Sequence, residues 1–393
     1  MVDSGTTAPT AGPNARERIA VASLALAAFA LNLNTNVLGA LLPFVRRELV
    51  LADGQDTWLV AAAALGSAIG AILAGPVSVR RGRRGALVAG LVAFVLFSVA
   101  HLAARSFWPF LALRCAAGVA VGIAYAAASA LVAEVVPYGR RGAAMGRFTA
   151  GMFLAIAAGM PLSVAFANAG VWPAIFVVQA AVAALGCFWA LRAVPSSAVG
   201  EGTGSMIALL RDGPVRAGLF ATMLHTGSFF TSVQLATSWL DETGVVPKER
   251  QIWVWVGLGF ASVVGSAAFG RLADRVGKRN FVLVTSVVLV GCFGVLAKEP
   301  APTLLLVVGS LLAVTAAART GPLQALVSGL ASTQDLAALM GLRGAAMQVG
   351  VVAFAAAASP VSREYGFRGV LILAAVCQFV SYAAIRFGVR EVR

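Results

Sequence analysis

Arg319 stands inside a long apolar stretch, directly before Thr320, Gly321 and Pro322, and Arg114 stands inside another. A cation near the centre of a bilayer costs roughly 3 kcal/mol or more, so such a residue faces the protein interior and finds a partner there. A mid-membrane charge beside a helix-breaking Gly-Pro pair is the arrangement of a solute site built on a broken helix, which favours Arg319 as a binding residue. For Arg114, a structural arginine held by carbonyls is an equal reading. His225 is one of two histidines and falls near the middle of a third apolar stretch. It is the group at that depth that titrates near neutral pH, which makes it a proton carrier or a packed, hydrogen-bonded side chain. Thr231, Gln234 and Ser238 follow on the same stretch at i, i+3 and i+7, a polar stripe suited to lining a cavity or bonding a neighbouring helix. Asn32 and Asn36, in the run NLNTN, share a helix face at i, i+4; their amides bind polar groups but take up no proton.

What is missing narrows the chemistry further. None of the 16 acids falls near the middle of an apolar stretch, and Glu134 comes closest. His101 and His225 lie in different stretches with no carboxylate or cysteine pair beside them. Cys115, Cys187, Cys292 and Cys377 sit in apolar surroundings without paired spacing and read as small buried hydrophobes. No nucleotide-binding Gly-x-x-x-x-Gly-Lys-Ser/Thr loop is present. The side chains therefore suit reversible binding of a polar or anionic solute. They suit no enzyme, and they call for no metal and no cofactor.

The elements that must hold these residues follow from composition. The 393 residues are 60% hydrophobic and 12% charged, against about 25% charged in a soluble domain. Apolar stretches near the 20 or so residues that cross a bilayer recur at 18–45, 57–79, 85–104, 107–136, 143–168, 171–193, 215–240, 251–273, 279–297, 302–330, 338–361 and 367–388. They are too long for barrel strands and are expected to be helices. The fold class is an all-α polytopic membrane protein with twelve transmembrane helices in two six-helix bundles. The expected division is a disordered tail (1–17), a first bundle (18–194), a polar linker (195–214) and a second bundle (215–393). The net charge of +14 raises nucleic acid as a partner. Most of the 30 Lys and Arg, however, crowd the loops on the side of the N-terminus, which is the bias of cytoplasmic loops. Both termini are thus expected inside a cell (inner or plasma) membrane, in a monomer whose partners are lipid and a small solute.

Two basic turns repeat. GPVSVRRGRR begins at Gly75 and GRLADRVGKR at Gly270, 195 positions later. AAMGRFTAGM from Ala143 and ALMGLRGAAM from Ala338 keep the same offset, which argues for an internal repeat about an axis along the membrane normal. In the turns, Gly82 and Gly277 permit tight reversal, Arg80, Arg83, Arg84, Arg275, Lys278 and Arg279 supply the positive charge, and Asp274 has Val79 as its counterpart.

Twelve spans with a Gly-x-x-x-Asp-Arg-x-Gly-basic-basic turn after the second span of each half resemble the major facilitator superfamily, from about residue 18 to 390. Arg114, Gly118 and Gly122 match that family's Arg-x-x-x-Gly-x-x-x-Gly signature. Gly159 and Pro161, with the stretch VWPAIF at 171–176, resemble the span-five and span-six signatures of the twelve-span drug and sugar exporters. Physically, Gly118 and Gly122 allow close helix approach, and Pro161 removes a backbone hydrogen bond, so a bend is expected there. The resemblance implies a secondary transporter working by alternating access, with the turns as a cytoplasmic gate closed through a Asp274–Arg275 pair in the second half. It also implies drug:proton antiport-like efflux of a small organic compound, which buried positive charge makes neutral or anionic, with protons as candidate coupling ions. An importer of a small anion, with Arg319 and Arg114 as counter-ions, and a transport-inactive sensor or scaffold stay open.

Overall fold

The computed structural model describes residues 15–52, 55–196, 205–299 and 301–391, and every regular element among them is helical. The first helix, α1, is Ala15–Glu48. The helical run Gln55–Ala100 breaks at Gly82, where φ is 70° and ψ 160°, into α2 (55–81) and α3 (83–100). Then come α4 (Phe107–Val135), α5 (Arg141–Asn168) and α6 (Ala174–Ala193). A short helix, Met206–Arg211, precedes α7 (Gly213–Thr243). After it follow α8 (Lys248–Val276), α9 (Lys278–Leu296) and α10 (Pro302–Ser328). The run Leu336–Gly388 breaks at Gly366, with φ 63°, into α11 (336–365) and α12 (367–388). Among the described residues, nine apolar runs long enough to cross a membrane cover α1 to α12 except α7. That helix is more polar because Thr222, His225, Thr226, Ser228, Thr231 and Ser232 all lie on it, and all are buried.

Two ends of the bundle are distinguished by their contacts. At one, Glu17 pairs with Arg140 at 3.0 Å, Arg84 donates to the Leu191 carbonyl, and Arg279 donates to the Arg386 carbonyl at 2.6 Å. Both basic turns lie here, so it is the motif end. At the other, Trp172 Nε1 donates to Glu48 at 2.6 Å, and Arg105 stands 3.5 Å from the same carboxylate. The expected disordered tail is shortened by this arrangement. Residues 1–14 lie outside the described residues, but 15–17 are already helical, because burial of Glu17 against Arg140 makes the first turn part of the packed end. The expected linker likewise contains one helical turn and a half, capped by Ser205 Oγ accepting from the Ala208 N–H at 3.3 Å, while 197–204 lie outside the described residues.

One expected break does not occur: the helix α10 runs unbroken through Gly321 and Pro322. At Pro161, where a bend is expected, α5 stays helical. Proline frees a carbonyl four residues back, but close neighbours and hydroxyl side chains stabilise such sites inside membranes. Beside these prolines, Thr320 Oγ1 donates to the Ala316 carbonyl at 2.8 Å and Ser163 Oγ to that of Gly159 at 2.7 Å. The actual breaks fall at glycines with positive φ, and they come in repeat-related pairs. Gly82 and Gly277 (φ 89°) are 195 apart, and Gly170 (φ 72°) and Gly366 precede α6 and α12.

Packing rests on glycine and alanine. A Cβ on Gly118 would run into the Ala63 carbonyl, and one on Gly122 into that of Ser67, so α4 lies directly on the α2 backbone. The same device joins helices from opposite ends of the chain. A Cβ on Gly146 of α5 would strike the Ser266 carbonyl of α8, and one on Gly341 of α11 would strike the Ala71 carbonyl of α2. Both members of that second contact sit 195 positions from their counterparts in the first. The repeat seen in sequence is therefore a repeat of interhelical contacts.

The backbone at Gly82 and Gly277 lies where a side chain is strained by about 1–3 kcal/mol. Gly82→Ala and Gly277→Ala are each expected to lower the melting temperature of the detergent-solubilised protein. Gly139→Ala, where an added Cβ meets nothing within 4 Å, should leave it unchanged.

Candidate solute site and gate

Arg114 is buried, at 2% exposure, and is held by α1. Its Nη1 donates to Asn34 Oδ1 at 2.6 Å and, with Nη2, to the Asn34 carbonyl at 3.2 Å. This is the structural arrangement weighed for it in the sequence. Asn34, and not the face shared by Asn32 and Asn36, is the buried amide of that run. Asn32 is half-buried with its Nδ2 donating to its own helix at Ala28, 2.8 Å away, and the Asn36 side chain lies outside the described residues.

The second buried cation sits among polar groups of α7, α10 and α12. Arg319 is fully buried, and its Nη2 donates to Ser381 Oγ at 2.8 Å. Ser381 in turn donates to the Ala221 carbonyl at 3.0 Å. The Nε and Nη1 of Arg319 have no partner. His225 lies beside this group, with Nδ1 3.2 Å from Gln378 Nε2 and Nε2 3.4 Å from Thr320 Oγ1. Gln378 also donates to Ser228 Oγ at 2.8 Å. The structure thus brings Arg319 and His225 together and adds Gln378, Thr320 and Ser381. Helical spacing alone gives no sign that α12 reaches across to α7.

The polar stripe of α7 divides. Thr231 is buried and donates to the Val351 carbonyl of α11 at 3.4 Å, a helix-to-helix bond. Gln234 is exposed and lines a cavity of about 250 Å³; the Ser238 side chain lies outside the described residues. That cavity is walled by Phe153, Phe229, Phe230, Trp239, Trp255 and Phe293. It also contains two buried donors without a partner, Ser232 Oγ and Trp255 Nε1. Apolar walls with a few converging donors are the usual make-up of a small-molecule pocket, and its volume is near the lower end of their range of about 300–1,000 Å³.

At the motif end one carboxylate joins α8 to α5. Asp274 accepts from the backbone N–H of Gly142 at 2.9 Å and of Ala143 at 2.8 Å, so it caps the N-terminus of α5. The expected partner Arg275 points to solvent, and Lys278 takes its place at 3.0 Å from Asp274. Lys278, the first residue past the Gly277 break, is buried beside Asp274, whereas Arg275 is exposed. The Lys278 ammonium also lies 4.2 Å from the centre of the Tyr138 ring; burial, reinforced by the Glu391 carboxylate, pushes that phenol upward. Glu391 caps α9 in the same way, accepting from the N–H groups of Lys278 and Arg279 at 2.9 and 3.0 Å.

The first-half turn keeps the geometry but not the acid. Arg84 donates to the Leu191 carbonyl as Arg279 does to that of Arg386, and both partners are 195 positions apart. Arg83 donates to the Thr333 carbonyl and pairs with Glu134 at 2.7 Å. Val79 leaves the start of α11 without a cross-chain cap, and Asp335 at that start makes no side-chain cap either.

The chain matches the family model of the Major Facilitator Superfamily over residues 24–245 and 218–392. It is similar to the arabinose-proton symporter of Escherichia coli (strain K12), at 34% identity over 161 residues, 41% of this chain and 34% of that protein. It is also similar to the probable sugar efflux transporter of Helicobacter acinonychis (strain Sheeba), at 27% over 208 residues, 51% of this chain and 52% of that protein. The matched stretches thus span between about a third and a half of those relatives. Among solved structures, the proton:xylose symporter XylE bound to 6-bromo-6-deoxy-D-glucose superposes with TM-score 0.80 at 14% identity, over 95% of this chain and 96% of that one. The human organic anion transporter MFSD10 (TETRAN) gives 0.75 at 18%, over 95% and 100%. At these identities the likeness is one of fold.

Removing the Asp274 charge strips a cap from α5 and leaves buried Lys278 unpaired, a change worth about 3 kcal/mol. Asp274→Asn should therefore shift the gate toward the open motif end by more than about a hundredfold, read as a lengthened distance between spin labels on α5 and α8. Val79→Asp supplies the missing cap and should shorten the matching α2–α11 distance. An unchanged distance in both variants would show that these caps do not hold the gate.

Proposed function

The chain belongs to the Major Facilitator Superfamily and is a multi-pass membrane transporter, and we propose that it exports a small neutral or anionic organic compound by alternating access. The carrying observation is the charge of the buried interior. Arg114, Arg319 and Arg343 are each at most 2% exposed, while among the described residues the buried acid is Glu17, at the motif end. A cationic solute would meet buried positive charge with no carboxylate to offset it. In this reading the motif end faces the cytoplasm, where most Lys and Arg lie. The two six-helix groups, 18–194 and 215–393, rock about the Gly146–Ser266 and Gly341–Ala71 contacts. Solute enters or leaves at the opposite end through the aromatic cavity that Gln234 lines.

Sugar import by proton symport is the second reading, favoured by the relatives named as sugar-proton symporters. Cells expressing the protein separate the two. Export lowers the steady-state content of a labelled monosaccharide or sugar acid below that of control cells, and import raises it. Unlabelled solute trapped in proteoliposomes should drive counterflow of labelled solute in either case, and no counterflow for any member of such a panel would defeat both readings.

If protons drive transport, His225 is the carrier, placed between Gln378 and Thr320. His225→Gln should then abolish accumulation driven by an imposed pH gradient while leaving counterflow intact. Gradient-driven accumulation that survives the substitution removes His225 from the coupling.

A further inference from the structure

Arg343 lies seven residues into α11 and so roughly 10 Å from its start. In the structure it is 2% exposed and ranks among the largest fully buried side chains. Its side chain has one polar contact, Nη1 at 3.4 Å from the thioether sulfur of Met347, a weak acceptor. Its Nε has none. Arg114, by contrast, has three bonds to Asn34. Helix α11 shares a buried core with α4 and meets the backbones of α2 at Gly341 and of α7 at Gly350, so Arg343 lies where helices from both ends of the chain converge. Among the described residues no carboxylate meets it. A buried guanidinium without an anion is an incomplete pair, since desolvation of the cation is offset only by an opposite charge and hydrogen bonds to its fork.

The repeat shows how this charge arose. Arg343 aligns with Phe148, and Arg147 aligns with Leu342, so the arginine of the second copy is moved by one residue. One step turns a side chain about 100° around a helix. Arg147 is half-buried and donates to its own helix at Ala143, 3.3 Å away, whereas Arg343 occupies the interior position that Phe148 fills in the first copy.

We propose that Arg343 is the anchor for an organic carboxylate, which completes the pair as the bidentate partner of the guanidinium between α4, α7 and α11. The proposal rests on the reading that the solute is uncharged or anionic and selects the acid. Arg319 is a second buried cation whose Nε and Nη1 have no partner among the described residues.

The test uses thermal shift of the purified full-length protein at constant ionic strength. Gluconate, glucuronate, benzoate and acetate are titrated beside the neutral counterparts glucose and benzyl alcohol. At least one carboxylate should raise the melting temperature where its neutral counterpart does not. Its apparent affinity should fall at least about tenfold in Arg343→Gln and by less in Arg343→Lys, which keeps the charge but not the bidentate fork. A further readout separates binding from structure: ligand-free Arg343→Gln should melt at or above the wild type, because an uncompensated charge has been removed. The proposal is overturned if none of the four acids stabilises the protein, if Arg343→Gln binds them as the wild type does, or if ligand-free Arg343→Gln melts well below the wild type. Acid binding lost in Arg343→Gln, together with no counterflow of that acid into proteoliposomes, would sustain the site and sink the transport reading alone.

Discussion

Asp274 sits on the N-terminus of a helix that lies 131 residues away in the chain, and the closed motif end is organised around that contact. The two N–H groups it accepts from have no intrahelical acceptor, and the partial positive charge of the helix end adds to the attraction. Because Asp274 also holds Lys278, and Lys278 lies over Tyr138, one carboxylate fixes the α4–α5 connection, the start of α5 and the α8–α9 turn together. The glycine contacts behind it, Gly142 against Gly270 and Gly146 against Ser266, bring the backbones close enough for the carboxylate to reach.

Charge of opposite kinds serves opposite ends of this argument. At the motif end cations are numerous and several have an acceptor within a few ångströms: a carbonyl for Arg84 and Arg279, a carboxylate for Arg83, Arg140 and Lys278. Within the bundle, Arg114, Arg319 and Arg343 each keep a guanidinium nitrogen without an acceptor among the described residues. Hydrophobic burial cannot satisfy a guanidinium, so the interior is left electrostatically open where the rim is closed.

Much of this was legible in sequence because the bilayer enforces it. Segments without water must satisfy their own backbone, which makes long Ala/Val/Leu runs helical, and the positive φ needed at Gly82 and Gly277 was announced by glycine in a basic turn. What escaped depended on rotation about a helix axis and on proximity between distant helices. Asn34, rather than Asn32, meets Arg114, a matter of two residues on one turn. The Gly321-Pro322 pair breaks nothing because Gly321 packs directly on the Gly146 backbone, a contact no local pattern reveals. Arg343 falls inside the apolar stretch 338–361, near its start. Its alignment with buried Phe148 was the available signal, since a position that is apolar in one copy of a repeat is an interior position in the other.

The cap on α9 has a consequence for how the protein is made. Glu391 follows α12, so its carboxylate can meet the N–H groups of Lys278 and Arg279 only once every helix has left the ribosome and entered the membrane. Until then α9 has an open end and the turn that carries Asp274 lacks its rear support. The newborn chain therefore passes through a stage with α1 to α12 inserted and this cap still unmade.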